Sequence, residues 1–195
     1  MAAVQYLQTP KQWSDDQLKL AASKSRHVAL ELLIQKYREP LFRHALYILK
    51  DQDEAYDVVQ ETFIRAIREQ RIFDMDFRIK AWLFRVTKNL CLNNIRNTSR
   101  RSAILEANPM QDREEPDQLK QLFADEQAVQ MLGSMERLSE EHREILVLRY
   151  YDELSYAEIS HVLNLKLGTV MSRLSRARKN LLDVVEHSSF KEHKE

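Results

Sequence analysis

The chain has 195 residues, and its hydrophobic content of 44% is enough for one or two packed domains. Because strands and hairpins depend on glycine-rich turns, the two glycines and four prolines argue against a β-rich fold and, with abundant helix formers, predict an all-α protein. The formal net charge is zero, but residues 79–101 carry only positive charges whereas 51–61 and 106–126 are dominated by carboxylates, which favours separate contacts to nucleic acid and to another partner.

The first short helix is predicted to begin at Ser14, which has capping-box spacing with Gln17. A second helical pattern runs from 27 to 38. We expect Pro40 to interrupt or restart this helix, because proline lacks an amide proton and disfavours helical geometry in the residue before it. The pattern resumes over 41–49, and Asp51 supplies a cap for the next helix.

The helix predicted over 54–70 has two contrasting faces. Its buried face is predicted to comprise Ala55, Val58, Val59, Thr62 and Ala66. On the other face, helical spacing brings together Asp57, Gln60, Glu61, Ile64 and Arg68. An apolar residue framed by acids and an amide is typical of a protein-docking surface. The alternative is a solvated face on which that apolar side chain packs against a neighbour.

A basic helix is predicted over 79–97. Its buried side is predicted to comprise Ile79, Trp82, Leu83, Val86 and Leu90. Another face carries amides, which hydrogen-bond base edges, and cations, which hold phosphates. These side chains are Asn89, Asn93, Arg96 and Arg100, with Lys88 beside them. Trp82 and Phe84 are candidates for stacking on bases, although the apolar pattern favours a core position for Trp82.

The helical pattern lapses from 97 to about 117, where prolines, small polar residues and many charges predict a linker. Apolar periodicity returns between Leu119 and Met135. Ser139 is then predicted to cap a helix, because the acids Glu140 and Glu141 follow it at the positive end.

The segment 154–181 predicts two helices joined by a tight turn. Ser155 and Glu158 have capping-box spacing, and Asn164 tolerates the left-handed conformation that turns a chain sharply. In the second helix an apolar stripe comprises Val170, Leu174, Ala177 and Leu181, and a polar, basic stripe comprises Thr169, Ser172, Arg173, Arg176 and Asn180. Five basic residues and no acidic one lie between 166 and 180, which is typical of a helix that reads the DNA major groove. The alternative is a solvated basic face on an ordinary helical hairpin.

Other functions fit the sequence less well. A dimeric helix-turn-helix regulator that binds palindromic DNA leaves the basic helix at 79–97 unexplained. Because there is no glycine-rich phosphate loop, the histidines lack ligand spacing and Cys91 has no evident base nearby, we predict no enzyme, no metal and no cofactor. The single cysteine excludes an intramolecular disulfide, and no secretory or membrane-spanning pattern is present, so we expect a soluble cytoplasmic protein.

The motifs resemble those of bacterial sigma factors of the extracytoplasmic-function group of the sigma-70 family. The resemblance rests on DVVQETF at 57–63, on AWLFRVTKNL at 81–90, and on LSEEHREILVLRY at 138–150 running into 154–181. It implies a two-domain initiation factor that binds core RNA polymerase and directs it to promoter DNA. It also implies control by an anti-sigma factor.

The resemblance implies roles for individual residues. Core polymerase is expected to dock on Asp57, Gln60, Glu61 and Ile64. The minus-ten promoter element is expected to contact Lys80, Trp82, Arg85, Lys88, Asn89, Asn93, Arg96 and Arg100. The minus-thirty-five element is expected to contact Thr169, Met171, Ser172, Arg173, Ser175, Arg176 and Lys179. Asn93, Met171 and Ser175 differ from the residues usual in the family, so the promoter sequence does not follow from the resemblance.

The predicted organisation has two helical domains joined by a linker. An N-terminal extension with a short helix occupies 1–24, and a domain like sigma region 2 occupies 25–100. The linker covers 101–120. A helix-turn-helix domain like sigma region 4 covers 121–186, and a tail covers 187–195.

Overall fold

A computed structural model of the chain describes residues 13–104, 135 and 137–192. Every regular element in these ranges is helical, which confirms the all-α prediction. The chain divides into two compact units, Met1–Arg113 and Glu114–Glu195, and the division falls within the predicted linker. Within the described ranges, no helix combines the length and apolar character needed to cross a bilayer.

The described part of the first unit contains four helices, and the first three begin at local side-chain caps. These helices are α1 (Asp15–Lys24), α2 (Arg26–Leu49), α3 (Gln52–Arg68) and α4 (Ile79–Ile104). Ser14 and Gln17 form both hydrogen bonds of a capping box, as predicted. Ser25 accepts a hydrogen bond from the Val28 amide at the start of α2, and Asp51 accepts one from the Glu54 amide at the start of α3.

The core of the first unit forms around α2, which packs against α1, α3 and α4. Leu33, Leu41 and Leu46 are almost completely buried along this helix. The predicted buried side of α3 is confirmed, with Phe63 buried beside it. Between α3 and α4, the hydroxyl groups of Thr62 and Thr87 lie 3.1 Å apart, so two buried polar groups satisfy each other.

The prediction that Pro40 interrupts the helix is wrong, because α2 is continuous through it. Leu33 and Tyr37 before the proline and Leu41 and Ala45 after it are all buried. Burial of one apolar stripe on both sides of Pro40 offsets the loss of one backbone hydrogen bond at that residue.

Two expectations for α4 are corrected. The helix continues to Ile104 rather than ending near Asn97. Its buried stripe includes Phe84, Thr87 and Cys91, whereas the predicted core residues Trp82, Val86 and Leu90 are only half-buried. The predicted burial of Ile79 and Leu83 is confirmed, and the centre of the buried stripe lies part of a turn away from the predicted one.

The second unit contains α5 (Glu140–Leu146), a π-helical turn (Val147–Tyr151), α6 (Tyr156–Leu163) and α7 (Leu167–Glu192). Ser139 precedes α5 as predicted, but its side chain makes no capping hydrogen bond. The capping box at the start of α6 is confirmed: the Ser155 amide donates to Glu158 at 2.7 Å, and the Glu158 amide donates to the Ser155 hydroxyl at 3.3 Å.

The turn between α6 and α7 is made by Asn164, whose φ of 53° and ψ of 46° are left-handed as predicted. Val170, Leu174 and Ala177 pack α7 onto the core of the unit. Leu181, predicted to continue this stripe, is half-buried. The helical pattern predicted from Leu119 lies outside the described residues, apart from the buried Met135 at its end.

Candidate functional site

The exposed face of α3 carries the residues selected for protein docking. Asp57 and Gln60 are exposed, Ile64 is 41% exposed, and Glu61 is half-buried. Ile64 is thus only partly packed against its neighbours. The Glu61 carboxylate accepts a hydrogen bond from Nε of Arg65 at 2.8 Å, so its charge is already shared within the helix. The face combines one exposed acid, one paired acid, an amide and an aliphatic side chain.

Two apolar residues that the sequence interpretation did not include extend this α3 face. Ile67 is 49% exposed and lies one turn beyond Ile64, so its spacing could have revealed it. Tyr56 is 40% exposed and stacks on Phe42 with 4.3 Å between ring centroids. The apolar part of the face is therefore larger than a single isoleucine.

One side of α4 forms a basic and amide-rich face, which we call the α4 face. It comprises Trp82, Arg85, Asn89, Asn93, Arg96 and Arg100. At 3.6 residues per turn these positions fall within an arc of about 80°. All of them are exposed except Trp82, which is half-buried with its ring centroid 5.9 Å from that of Phe77. Cations and amides thus lie in one row on the side opposite the buried stripe.

The two lysines selected with this group do not lie in the row. Lys80 is on the packed side of α4 and is half-buried, with Nζ 5.9 Å from the centroid of the Phe84 ring. Lys88 is half-buried at the edge of the α4 face. Both lysines carry the same charge as the arginines, but their positions on the helix place them outside the α4 face.

Only one of the two aromatic candidates for base stacking is accessible. Phe84 is completely buried and makes an edge contact with His44 at a centroid distance of 5.1 Å. The proposed stacking role for Phe84 is therefore wrong. Trp82 retains an exposed part and is the aromatic side chain on the α4 face.

One side of α7 forms an exposed, mainly polar surface, which we call the α7 face. It comprises Met171, Ser172, Ser175, Arg176 and Lys179, all of them exposed. They lie opposite the buried Val170, Leu174 and Ala177. Nε of Arg176 donates to the Ser172 carbonyl at 3.3 Å, which leaves the exposed side chain lying along the helix.

Other polar residues of α7 are directed toward α5. Nη2 of Arg173 lies 3.2 Å from Oε2 of Glu141, and only 19% of the Arg173 side chain is exposed. Nδ2 of Asn180 lies 3.2 Å from Nδ1 of His142. Thr169 is half-buried. Spacing along α7 alone could not reveal these contacts, because their partners belong to another helix.

The one thiol of the chain is not part of any exposed face. Cys91 is fully buried, and burial raises the pKa of its thiol to about 12. The thiol is therefore protonated at neutral pH and is a poor nucleophile.

Both units match known sequence families. Residues 33–101 match sigma-70 region 2, and residues 128–181 match sigma-70 region 4. The region 2 match contains both the exposed α3 face and the α4 face. It therefore accounts for the N-terminal half that a dimeric helix-turn-helix regulator would leave unexplained.

The chain is similar to curated sigma factors over most of its length. It is 30% identical over 161 residues to the ECF RNA polymerase sigma factor SigM of Bacillus subtilis, covering 79% of this chain and 93% of that protein. It is 31% identical to SigW of the same organism over 160 residues, covering 76% and 84% of the two chains. It is 30% identical over 179 residues to the RNA polymerase sigma-H factor of Pseudomonas aeruginosa, covering 86% and 92%.

Solved structures agree with this relationship. CnrH, in a complex with the cytosolic domain of CnrY, is 28% identical with a TM-score of 0.61, covering 89% of this chain and 97% of that chain. The sigma factor RpoE of Bartonella quintana is 24% identical with a TM-score of 0.60, covering 84% and 98%, which bears on the fold alone. On its family matches and its relatives, the chain is a sigma factor of the extracytoplasmic-function group of the sigma-70 family.

Proposed function

We propose that this sigma factor binds its partners through three surfaces. The exposed face of α3 docks on core RNA polymerase, the α4 face contacts the minus-ten element, and the α7 face reads the minus-thirty-five element. The observation that carries the proposal is the α4 face, a row of arginines and asparagines with an accessible tryptophan at one end. Its basic charge suits DNA, whereas the acidic and aliphatic α3 face does not.

The chemistry of the α4 face favours unpaired DNA. Asn89 and Asn93 supply both donors and acceptors, which base edges can use once the strands separate. Arg85, Arg96 and Arg100 are spaced to hold successive phosphates. The exposed part of Trp82 offers a surface on which a base can stack. We therefore propose that this row holds one strand as the promoter opens.

The α7 face suits duplex DNA. A helix fits the major groove, and there hydroxyl, guanidinium and ammonium groups distinguish bases and hold phosphates. The hydroxyl groups are those of Ser172 and Ser175, the guanidinium is that of Arg176, and the ammonium is that of Lys179. Met171 adds a thioether. Arg173 pairs with Glu141 of α5 and Thr169 is half-buried, and we propose that Arg173 supports the helix while Thr169 borders the contact.

The exposed α3 face suits a protein partner with a basic surface. Asp57 contributes a charge, and Ile64 with Ile67 contributes apolar area that water leaves on binding. We propose that core polymerase covers these residues together with Gln60 and Glu61.

We also propose that a partner protein controls this sigma factor. CnrH was solved in a complex with the cytosolic domain of CnrY. A partner of that kind, an anti-sigma factor, would hold the chain inactive by covering the surfaces that polymerase and DNA need. The site of action would be the cytoplasm, and the chain would contribute no catalysis, metal or cofactor of its own.

The first experiment is run-off transcription on genomic DNA fragments with core polymerase, in the presence and absence of the protein. Specific transcripts that appear only when the protein is added are expected, and their start points map the promoter. If the protein instead binds palindromic duplex DNA as a dimer and does not bind polymerase, the proposed function is wrong.

A second experiment tests the docking surface. We expect Asp57→Lys to weaken binding to core polymerase, because a cation replaces an acid opposite a basic partner. Glu31→Lys makes the same kind of change at an exposed position of α2 and is expected to leave binding unchanged. Surface plasmon resonance with immobilised core polymerase measures both affinities, and circular dichroism checks that both variants fold. Equal losses in the two variants would indicate a general charge effect and count against the α3 face.

A further inference from the structure

We propose that α1 is a positioning element for promoter opening, in which Asp15 holds the start of α4 and Lys19 holds the loop that precedes it. The inference rests on the proposed role of the α4 face in contacting the minus-ten element. The two side chains lie outside the region 2 match at 33–101, so the family match does not include them.

Asp15 joins three separate groups of the first unit. Its Oδ1 accepts a hydrogen bond from Nζ of Lys36 at 2.5 Å and another from the hydroxyl of Tyr37 at 2.5 Å. Its Oδ2 accepts a hydrogen bond from the backbone amide of Lys80 at 3.3 Å. One carboxylate of α1 therefore connects α2 to the beginning of α4.

The contact with Lys80 acts at a helix end that needs a partner. Lys80 is the second residue of α4, and the first amides of an α-helix have no acceptor within the helix. A carboxylate near this end also interacts favourably with the helix dipole. Asp15 thus caps α4 from a distant part of the chain, directly before Trp82 and Arg85 begin the α4 face.

Lys19 holds the loop between α3 and α4. It is only 9% exposed, and its Nζ donates to the Met75 carbonyl at 2.8 Å. A buried ammonium group is costly unless it is hydrogen-bonded, so the contact restrains both partners. The start of the same loop is held by Arg26, whose guanidinium donates to the carbonyls of Ile67, Glu69 and Gln70.

These contacts fix the loop and the first turn of α4 before DNA arrives. A row of DNA contacts binds best when its groups are already in place, because ordering them on binding costs free energy. The exposed α3 face has no contact with Asp15 or Lys19 among those described here, so polymerase docking does not depend on them. Loss of the Asp15 or Lys19 side chain should therefore weaken DNA binding and leave polymerase binding unchanged.

The test uses the complex of this protein with core polymerase. The probe is a fluorescent oligonucleotide that carries the non-template strand of a promoter mapped by run-off transcription. We expect Asp15→Asn to reduce affinity for the oligonucleotide by about tenfold, the order of one hydrogen bond to a charged group, while affinity for core polymerase is unchanged. Asp16→Asn removes the same charge from the same turn of α1 at an exposed position and should bind like the wild type.

A second pair of variants tests the loop contact. Lys19→Met keeps an apolar stem but removes the donor to Met75, and we expect it also to weaken oligonucleotide binding with core binding intact. Lys24→Met is its control at an exposed position of α1. Wild-type affinity for the oligonucleotide in both Asp15→Asn and Lys19→Met would overturn the inference, as would a parallel loss of core binding.

Hydrogen exchange on the wild type remains decisive if the variants fail to fold. The Lys80 amide should exchange more slowly than the Asp53 amide, which holds the equivalent second position of α3 and is exposed. Equal rates would overturn the contact. If the wild-type complex itself fails to bind the oligonucleotide, the proposed function fails, while the exchange rates still test the inference.

Discussion

Arg173 and Arg176 lie one turn apart on α7 and yet have different environments. Arg173 is mostly covered and pairs with Glu141 on α5, whereas Arg176 is exposed among the serines of the α7 face. The pair is partly solvated, so it stabilises the fold by about 1 kcal/mol or less. Its main effect is to direct the Arg173 guanidinium away from the α7 face.

We therefore expect the two alanine substitutions to differ. Arg176→Ala should weaken discrimination between the promoter duplex and a scrambled duplex by about 1 to 3 kcal/mol, the range for a good base contact. Arg173→Ala should leave that discrimination unchanged. Fluorescence anisotropy with both duplexes measures the ratio. A larger loss of discrimination in Arg173→Ala would mean that its guanidinium leaves Glu141 and contacts bases.

Glu141 and Glu140 provide a matched comparison for the ion pair. Both begin α5, but Glu141 is the partner of Arg173. Glu141→Gln and Glu140→Gln remove the same charge near the proposed DNA contact, so a general electrostatic gain in affinity should be equal in both. In Glu141→Gln alone we expect the affinity for DNA to change beyond this general gain, as measured in the same anisotropy assay. Identical behaviour would show that the ion pair does not influence DNA binding.

Cys91 permits a separate prediction at the residue scale. Because its thiol is completely buried and its pKa is raised to about 12, it should not react with a disulfide reagent at pH 8 in the folded protein. Addition of guanidinium chloride should expose it and allow one equivalent to react, since the chain has one cysteine. Absorbance of the released thiolate measures the reaction. Rapid labelling without denaturant would show that the core of the first unit opens readily.

At the scale of elements, the sequence was most informative where the determining chemistry is local. The capping box at Ser155 and the left-handed Asn164 lie within a few residues of the structure that they determine. Helical spacing alone also grouped Asp57, Gln60, Glu61 and Ile64 on α3 and the Asn89, Asn93, Arg96 and Arg100 part of the α4 face, but it did not place Trp82 or Arg85 there. Helix starts and one-sided faces could therefore be predicted without tertiary information.

The errors lie where tertiary packing decides between local alternatives. Along α4, two overlapping apolar stripes were available, and packing of Phe84 against His44 and of Thr87 against Thr62 selects one of them. Pro40 remains helical because burial on both sides outweighs its local preference. The partners of Asp15 and Arg173 belong to other helices, so no spacing rule could reveal them.

The turn between α6 and α7 gives a prediction about elements. We expect Asn164→Ala to destabilise the second unit by about 1 to 2 kcal/mol, because an ordinary side chain is strained in the left-handed conformation. Asn164→Gly should cost much less, since glycine adopts this conformation freely. Hydrogen exchange of the α6 amides measures the local opening free energy in each variant. Equal effects of the two substitutions would mean that the Asn164 side chain, and not its backbone, stabilises the turn.

At the scale of the whole molecule, a neutral chain presents surfaces of opposite chemistry. The formal net charge is zero, yet the α4 face is basic and the exposed α3 face is acidic and aliphatic. Overall neutrality therefore does not predict weak binding to DNA, because a nearby phosphate responds to the local face and distant charges are screened.

The local positive charge of the α4 face predicts that the affinity for DNA depends on the salt concentration. With the polymerase complex, Arg96→Gln should reduce the slope of log affinity against log salt for the single-stranded promoter oligonucleotide by about 0.7, the value for one phosphate contact. Arg38→Gln removes an exposed arginine of α2 and should leave the slope unchanged. Fluorescence titrations at several salt concentrations give both slopes. Equal slopes in Arg96→Gln and the wild type would remove Arg96 from the phosphate contacts.

Because α4 is continuous, its length determines how much DNA the α4 face can contact. The distance along the helix from Trp82 to Arg100 is roughly 27 Å at 1.5 Å per residue, which is the length of about eight nucleotides of a strand that keeps the 3.4 Å B-form spacing and of fewer nucleotides of a more extended single strand. The α7 face from Met171 to Lys179 measures roughly 12 Å and corresponds to three or four base pairs by the same arithmetic. The length of DNA that each helix can touch is therefore fixed by backbone geometry, independently of which bases the side chains prefer.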